Sequence, residues 1–258
     1  MREREGQLDQ TTSMTAVPAW PPRSAPRLFV ADTALAQGAE VRLDGPPAHY
    51  LANVLRLEAG AAVLLFDGVS GEWLGKVVEA GRKRVLLTIE RQTRPLEAVP
   101  PLTLAFAPVK RAPLDWLVEK TTELGVAHLR PVITHRTVVE RVKTERLHAI
   151  AVEAAEQCGR TLLPTLAEPI ALSAFLRTVT DSLYFADENG GEPMHEVMQP
   201  GPAIILTGPE GGFTDEERAL VRAHPSARAI SLGPRILRAE TAALAAVSAY
   251  MALAGDWR

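Results

Sequence analysis

"AIILTGPEGGFTDEERALVRAHPSARAISLGPRILRAETAALAAVSAYMALA", residues 203–254, decides how this chain is read. An apolar run, 203–206, meets a glycine-rich turn and then a charged segment that opens with Thr214 and carries Glu217 three residues later. That pair is a capping box, worth about 1 kcal/mol, and it marks a helix start. A second apolar run, "RAISL" (228–232), enters the loop "GPRILRAET" and then a final helix, "AALAAVSAYMALA". Strand, loop, helix, repeated in that order, puts both loops at the carboxyl ends of parallel strands, the edge where open α/β sheets take their ligands. The final helix is apolar almost all round, so it must be buried under neighbouring chain or against another subunit.

Upstream the rhythm is the same. "LTLAFA" (102–107), "HLRPVIT" (128–134) and "SLYFA" (182–186) read as buried strands. Pro113 suits a first helical position, with Gly125 as the stop, and Thr144 is the expected cap of a helix that runs to Gly159. Alternation of this kind predicts a largely parallel sheet covered by helices. Before residue 92 the signals change to five short strand-like runs with turn residues such as Asp67 and Gly68 between them, and one helix around "PPAHYLANVLRL". These predict a small β-barrel. "QTRPLEAVPP" (92–101) breaks both periods with three prolines. The expected organisation is therefore a flexible extension over 1–25, a barrel over 26–94, a linker over 95–101 and an α/β domain over 102–258.

Bulk composition narrows the class. No apolar run approaches the 18 or more residues of a membrane span, and "MREREGQLDQTTSM" has no secretory apolar segment, so a cytoplasmic protein is expected. One cysteine, Cys158, excludes an intrachain disulfide and a multi-cysteine metal site; no metal is expected. The formal net charge of -3 gives no global attraction to polyanions, so any nucleic acid must be met by local basic patches.

The two loops define the candidate ligand by charge. Gly208, Gly211 and Gly212 fit neither a P-loop nor the dinucleotide fingerprint, and Glu210, Asp215, Glu216 and Glu217 would repel a phosphate. Glycines admit close backbone approach, and the acids favour a neutral or cationic ligand, a description S-adenosylmethionine meets. The same residues are also ordinary turn and cap residues. The second loop tips the balance, because Arg235 and Arg238 bracket the apolar pair Ile236 and Leu237, which a plain solvent-facing turn does not explain.

Together "LTGPEGGFTDEE" and "SLGPRILRAETAAL" resemble the RsmE family, the 16S rRNA (uracil-N3)-methyltransferases of the SPOUT superfamily. "HYLANVLRL" (49–57), "KTTELGV" (120–126) and "EQCGR" (156–160) resemble three further motifs of that family, in order. The resemblance runs from about Pro26 to the end. It implies a SPOUT-type α/β methyltransferase domain with a carboxyl-terminal trefoil knot, preceded by a PUA-like barrel. It further implies a homodimer that methylates N3 of a uridine in the decoding region on small ribosomal subunits. Carried over residue by residue, Leu206, Thr207, Gly208, Pro209, Glu210, Gly211, Gly212, Leu232, Gly233, Ile236, Leu237 and Arg238 would form the cofactor site. Arg238 is the expected stabiliser of a uracil anion, and Glu240 the weaker candidate for base. His49, Arg56, Lys110, Arg136 and Arg160 are the expected RNA contacts. Two other classes stay open at this point: a noncatalytic RNA-binding or ribosome-assembly protein, and a phosphate-binding α/β enzyme.

Overall fold

The computed structural model describes residues 25–139 and 141–257. The expected extension over 1–25 lies almost wholly outside the described residues. The first sheet holds β1 (Arg27–Phe29), β2 (Glu40–Asp44), β3 (Ala62–Phe66), β4 (Glu72–Ala80) and β5 (Arg84–Arg94), in the order β1-β3-β4-β5-β2. Alternation drives it: Val41 and Leu43 of β2 turn inward between exposed neighbours, and Val85, Leu87 and Ile89 of β5 alternate with less buried ones. These side chains join Val63, Leu65 and Val77 in one core. The helix expected here is short: α1 (Gly45–His49) passes into a π-helical turn, Tyr50–Val54, and Arg56 takes a left-handed backbone with φ of 55°.

The second sheet contains β6 (Leu102–Phe106), β7 (His128–Ile133), β8 (Thr165–Leu166), β10 (Ser182–Ala186), β11 (Glu192–Pro193), β12 (Ala203–Thr207) and β13 (Ala227–Ser231), with β9 (Ile170–Ala171) pairing beside β7. The order is β11-β13-β10-β12-β6-β7-β8, all parallel. Helices α2 (Arg111–Glu123), α3 (Thr144–Cys158), α4 (Leu172–Leu176), α5 (Met194–Val197), α6 (Asp215–Arg222) and α7 (Ala239–Leu253) complete the domain. Strands buried on both faces explain the unbroken apolar runs: every residue of β12 is buried. One core gathers α2, α3 and α7, with Leu104, Leu117, Val247 and Met251 fully enclosed; the other lies beneath α4 and α6.

Two helix boundaries differ from expectation. α2 begins two residues before Pro113, which stands within the first turn, where its missing N–H costs nothing. Thr144 is not a cap: Lys143 holds the N-cap position, and the Thr144 hydroxyl donates to Glu168 at 3.1 Å. α7 buries Ala243, Ala246, Val247, Tyr250 and Met251 but leaves Leu253 partly exposed, so its apolar character is only half accounted for within the chain.

The two sheets are joined by charge as well as by chain. Glu72, 1 % exposed, accepts from Arg27 Nε at 2.6 Å, from Arg94 Nη2 at 2.7 Å and from Thr93 Oγ1 at 2.8 Å. The same arginines cap the carboxyl end of α3. Arg94 donates to the carbonyl of Gly159 at 2.7 Å, and Arg27 to those of Ala155 and Arg160. The 95–101 segment is held too: the Glu97 carboxylate accepts the N–H groups of Thr161 and Leu162 at 3.0 and 2.9 Å.

Candidate cofactor site

Strand order builds the site. β12 and β13 carry the two loops of interest, but they are not neighbours, because β10 lies between them and pairs with both. Three loops therefore meet at one sheet edge, and the segment after β10, Asp187–Gly190, lies between the other two by topology. A cavity of about 610 Å³ opens there. Thr207, Gly208, Pro209, Glu210 and Gly212 line it from the first loop, Leu232, Gly233, Ile236, Leu237 and Arg238 from the second, with Glu240 at the start of α7.

The first loop is held in shape from below. Thr214 Oγ1 accepts the Glu217 N–H at 3.2 Å and the Glu217 carboxylate accepts the Thr214 N–H at 3.0 Å, the expected capping box. Glu217 also accepts the His135 N–H at 2.7 Å. Phe213 packs edge-on against Phe185 with ring centroids 5.0 Å apart. A β-carbon on Gly208 would lie 2.8 Å from the Phe213 ring. Gly208→Ala is therefore expected to displace that ring and to cost about 1–3 kcal/mol, as overpacking does; urea unfolding measures it, and an unchanged midpoint would contradict the packing described.

The second loop is open by comparison. Ile236 is 91 % exposed, and the Arg238 side chain has no hydrogen-bond or ion-pair partner among the described residues. Arg238 occupies the N-cap position of α7, with its backbone extended, and it lines the cavity together with the first residues of that helix. Both are sources of positive potential.

Several expected site residues stand elsewhere. Leu206 is fully buried in the core below the loop and does not line the cavity. Gly211 also lies off the cavity wall, because its carbonyl turns to Arg136, which donates to it at 2.6 Å. Arg136 thus braces the first loop, although it remains exposed. Arg160 is corrected outright as an RNA contact. It is 5 % exposed and donates to the carbonyls of Thr122 and Val126, each at 2.9 Å, with Glu97 at 3.3 Å. These bonds tie the α2–β7 turn to the linker and hold the guanidinium in the interior, where Nη2 is buried with no hydrogen-bond partner among the described residues. His49 and Arg56 are exposed on the first sheet's helical turn, and Lys110 is exposed just before α2, whose Pro113 lines the cavity.

Sequence reading missed Asp187, Glu188 and Asn189. Asp187 is a buried anchor: it accepts from Arg218, from Arg222 at 2.6 Å and from the Asn189 N–H at 3.0 Å. Only the non-sequential strand order signals their place. Cys158 is half-buried, and burial pushes its thiol above the usual range, so it is not a poised nucleophile. Among the described residues no three His, Cys, Asp or Glu side chains form a metal-binding group, and no helix is long and apolar enough to cross a membrane.

A parallel α/β sheet with a ligand cavity between its loops, preceded by a small β domain, defines a class that the comparisons specify. Residues 96–251 match the model of the RNA methyltransferase domain, and residues 43–90 that of the RNA methyltransferase PUA domain. The chain belongs to this RNA methyltransferase family, and similar curated proteins include ribosomal RNA small subunit methyltransferase E of several bacteria. That enzyme of Rickettsia conorii is 30 % identical over 86 % of this chain and 93 % of its own length, and that of Synechocystis 34 % identical over 88 % and 77 %. Among solved structures, a methyltransferase of Legionella pneumophila in complex with its cofactor SAM superposes with a TM-score of 0.83 at 31 % identity. It covers 90 % of this chain and 99 % of that one. The ribosomal RNA small subunit methyltransferase E of Neisseria gonorrhoeae, bound to S-adenosyl methionine, also reaches 0.83 at 28 % identity, over 91 % and 100 %.

Proposed function

We propose that this chain uses S-adenosylmethionine to methylate N3 of a uridine in the decoding region of 16S rRNA on small ribosomal subunits. The observation that carries the reading is the convergence of a phosphate-averse glycine loop and the Arg238 loop on one cavity at the carboxyl edge of the sheet. The residues fit the cofactor. The cavity has room for an adenosine and its amino-acid tail, its glycines leave backbone polar groups accessible, and its carboxylates accept positive charge. When bound, S-adenosylmethionine supplies an electrophilic methyl group on a sulfonium.

The chain's own residues have two tasks. Uracil N3 carries a weakly acidic proton, so the site must remove it and stabilise the resulting anion. Arg238 meets the second need, since its guanidinium stays charged and can bridge two oxygens. The amino end of α7 adds to it. Glu240, half-buried in the first turn of α7 and lining the cavity, is the candidate base. Because N3 lies on the pairing edge, the uridine must be unpaired or flipped out before it enters.

The remaining assignments extend this reading. The barrel over 26–94 presents His49 and Arg56 to RNA, and Lys110 and Arg136 do so beside the cavity. The chain acts in the cytoplasm as a homodimer. The half-exposed side of α7, with Leu253 and the nearby Trp257, supports the homodimer. The two loops are inferred to belong to the trefoil knot that the family resemblance implies. A methyl group on N3 blocks base pairing, so reverse transcription along 16S rRNA is expected to stop beside the modified uridine. The stop should vanish in a strain lacking this gene and return when the gene is restored; a stop unaffected by the deletion would refute the assignment.

A further inference from the structure

We infer that Glu188, in the loop after β10, is the residue that positions the cofactor by accepting its α-ammonium group. The inference rests on the cofactor reading above and deepens it. Glu188 lines the cavity, and its carboxylate lies directly over Gly212, where any β-carbon would collide with it. One oxygen, Oε1, accepts from Arg218 Nη2 at 3.1 Å, and Arg218 is itself fixed by the buried Asp187. The other, Oε2, has no partner among the described residues. A carboxylate pinned by one oxygen and free at the other is pre-organised to accept a hydrogen bond without losing much side-chain freedom.

The other acids are less suited to this task. Both oxygens of Asp187 are taken by Arg218 and Arg222, and that side chain is fully buried. Glu188 and Glu210 are both exposed, but Glu210 has no hydrogen bond or ion pair among the described residues, so nothing fixes its orientation. Glu240 also lines the cavity, but no hydrogen bond or ion pair among the described residues fixes its carboxylate.

Three ligands separate the possibilities by calorimetry on the full chain. S-adenosylmethionine and S-adenosylhomocysteine share the ammonium and differ in the sulfonium, and 5′-methylthioadenosine has neither. Glu188→Gln keeps the size of the side chain and is expected to weaken the first two alike, by about 10–100-fold, the loss of one charge-assisted hydrogen bond. Binding of 5′-methylthioadenosine should be unchanged. Glu58→Gln, at an exposed acid of the first domain that does not line the cavity, should leave all three within about threefold. Equal weakening of all three by Glu188→Gln would assign the residue to support of Gly212 and overturn the inference. So would weakening of S-adenosylmethionine alone, which would mean sulfonium recognition, or no change at all. Failure of the unaltered protein to bind S-adenosylmethionine would instead overturn the cofactor reading itself.

Discussion

Arg238→Ala is expected to lower the rate of methyl transfer by about 10²–10³-fold, the usual cost of removing one preorganised group that stabilises developing negative charge. Affinity for S-adenosylmethionine should stay within about threefold. The variant is interpretable because Arg238 makes no side-chain cap for α7 and has no side-chain partner among the described residues. Truncation therefore removes charge at the cavity without removing a structural bond. The backbone carbonyl of residue 238, which accepts the Ala242 N–H at 2.8 Å, is kept. Single-turnover rates on small subunits, with cofactor binding measured separately, provide the check. A native rate in a variant that binds cofactor and RNA normally would remove Arg238 from the chemistry.

Glu72→Ala is expected to destabilise the protein by about 3–5 kcal/mol, because it removes the buried anion that the buried Arg27 and the half-buried Arg94 share. Burial alone would raise the Glu72 pKa. Hydrogen bonds from Arg94, Arg27 and Thr93 outweigh it and hold the carboxyl below its usual range. The sign of the pH dependence follows. A carboxyl depressed on folding contributes stability that is fully present above its unfolded value, near pH 4.3, and is lost as pH falls through the lower folded value. The gap between the unaltered protein and Glu72→Gln should therefore be widest near neutrality and close in acid. Urea midpoints measured from pH 7 down to pH 3 test this; a gap independent of pH would contradict the role given to the charge.

Legibility in the sequence followed the range of the interactions. The capping box at Thr214 and Glu217 was readable because both its bonds lie within four residues, and β12 because a strand buried on both faces is an unbroken apolar run. Interactions made across the fold were not. Arg160 follows a helix and reads as a surface cation, yet it is buried by contacts 34 and 38 residues away in sequence. Glu72 begins a strand beside a turn, and nothing local reveals two arginines closing on it. The loop holding Glu188 was missed because its relevance depends on β10 standing between β12 and β13, an order that the chain's sequence of elements does not specify. The two loops named from the family resemblance line one cavity, whereas Leu206 lies in the core beneath it and the Gly211 carbonyl is held by Arg136.

The central claim is that this cavity directs a methyl group to one uracil of small-subunit rRNA. Incubating the protein with isotopically labelled S-adenosylmethionine and unmodified small subunits, then mapping the label by mass spectrometry, tests it most directly. The account predicts label on N3 of a single uridine in the decoding region of 16S rRNA. Label on another base or another RNA, or none at all, would contradict it.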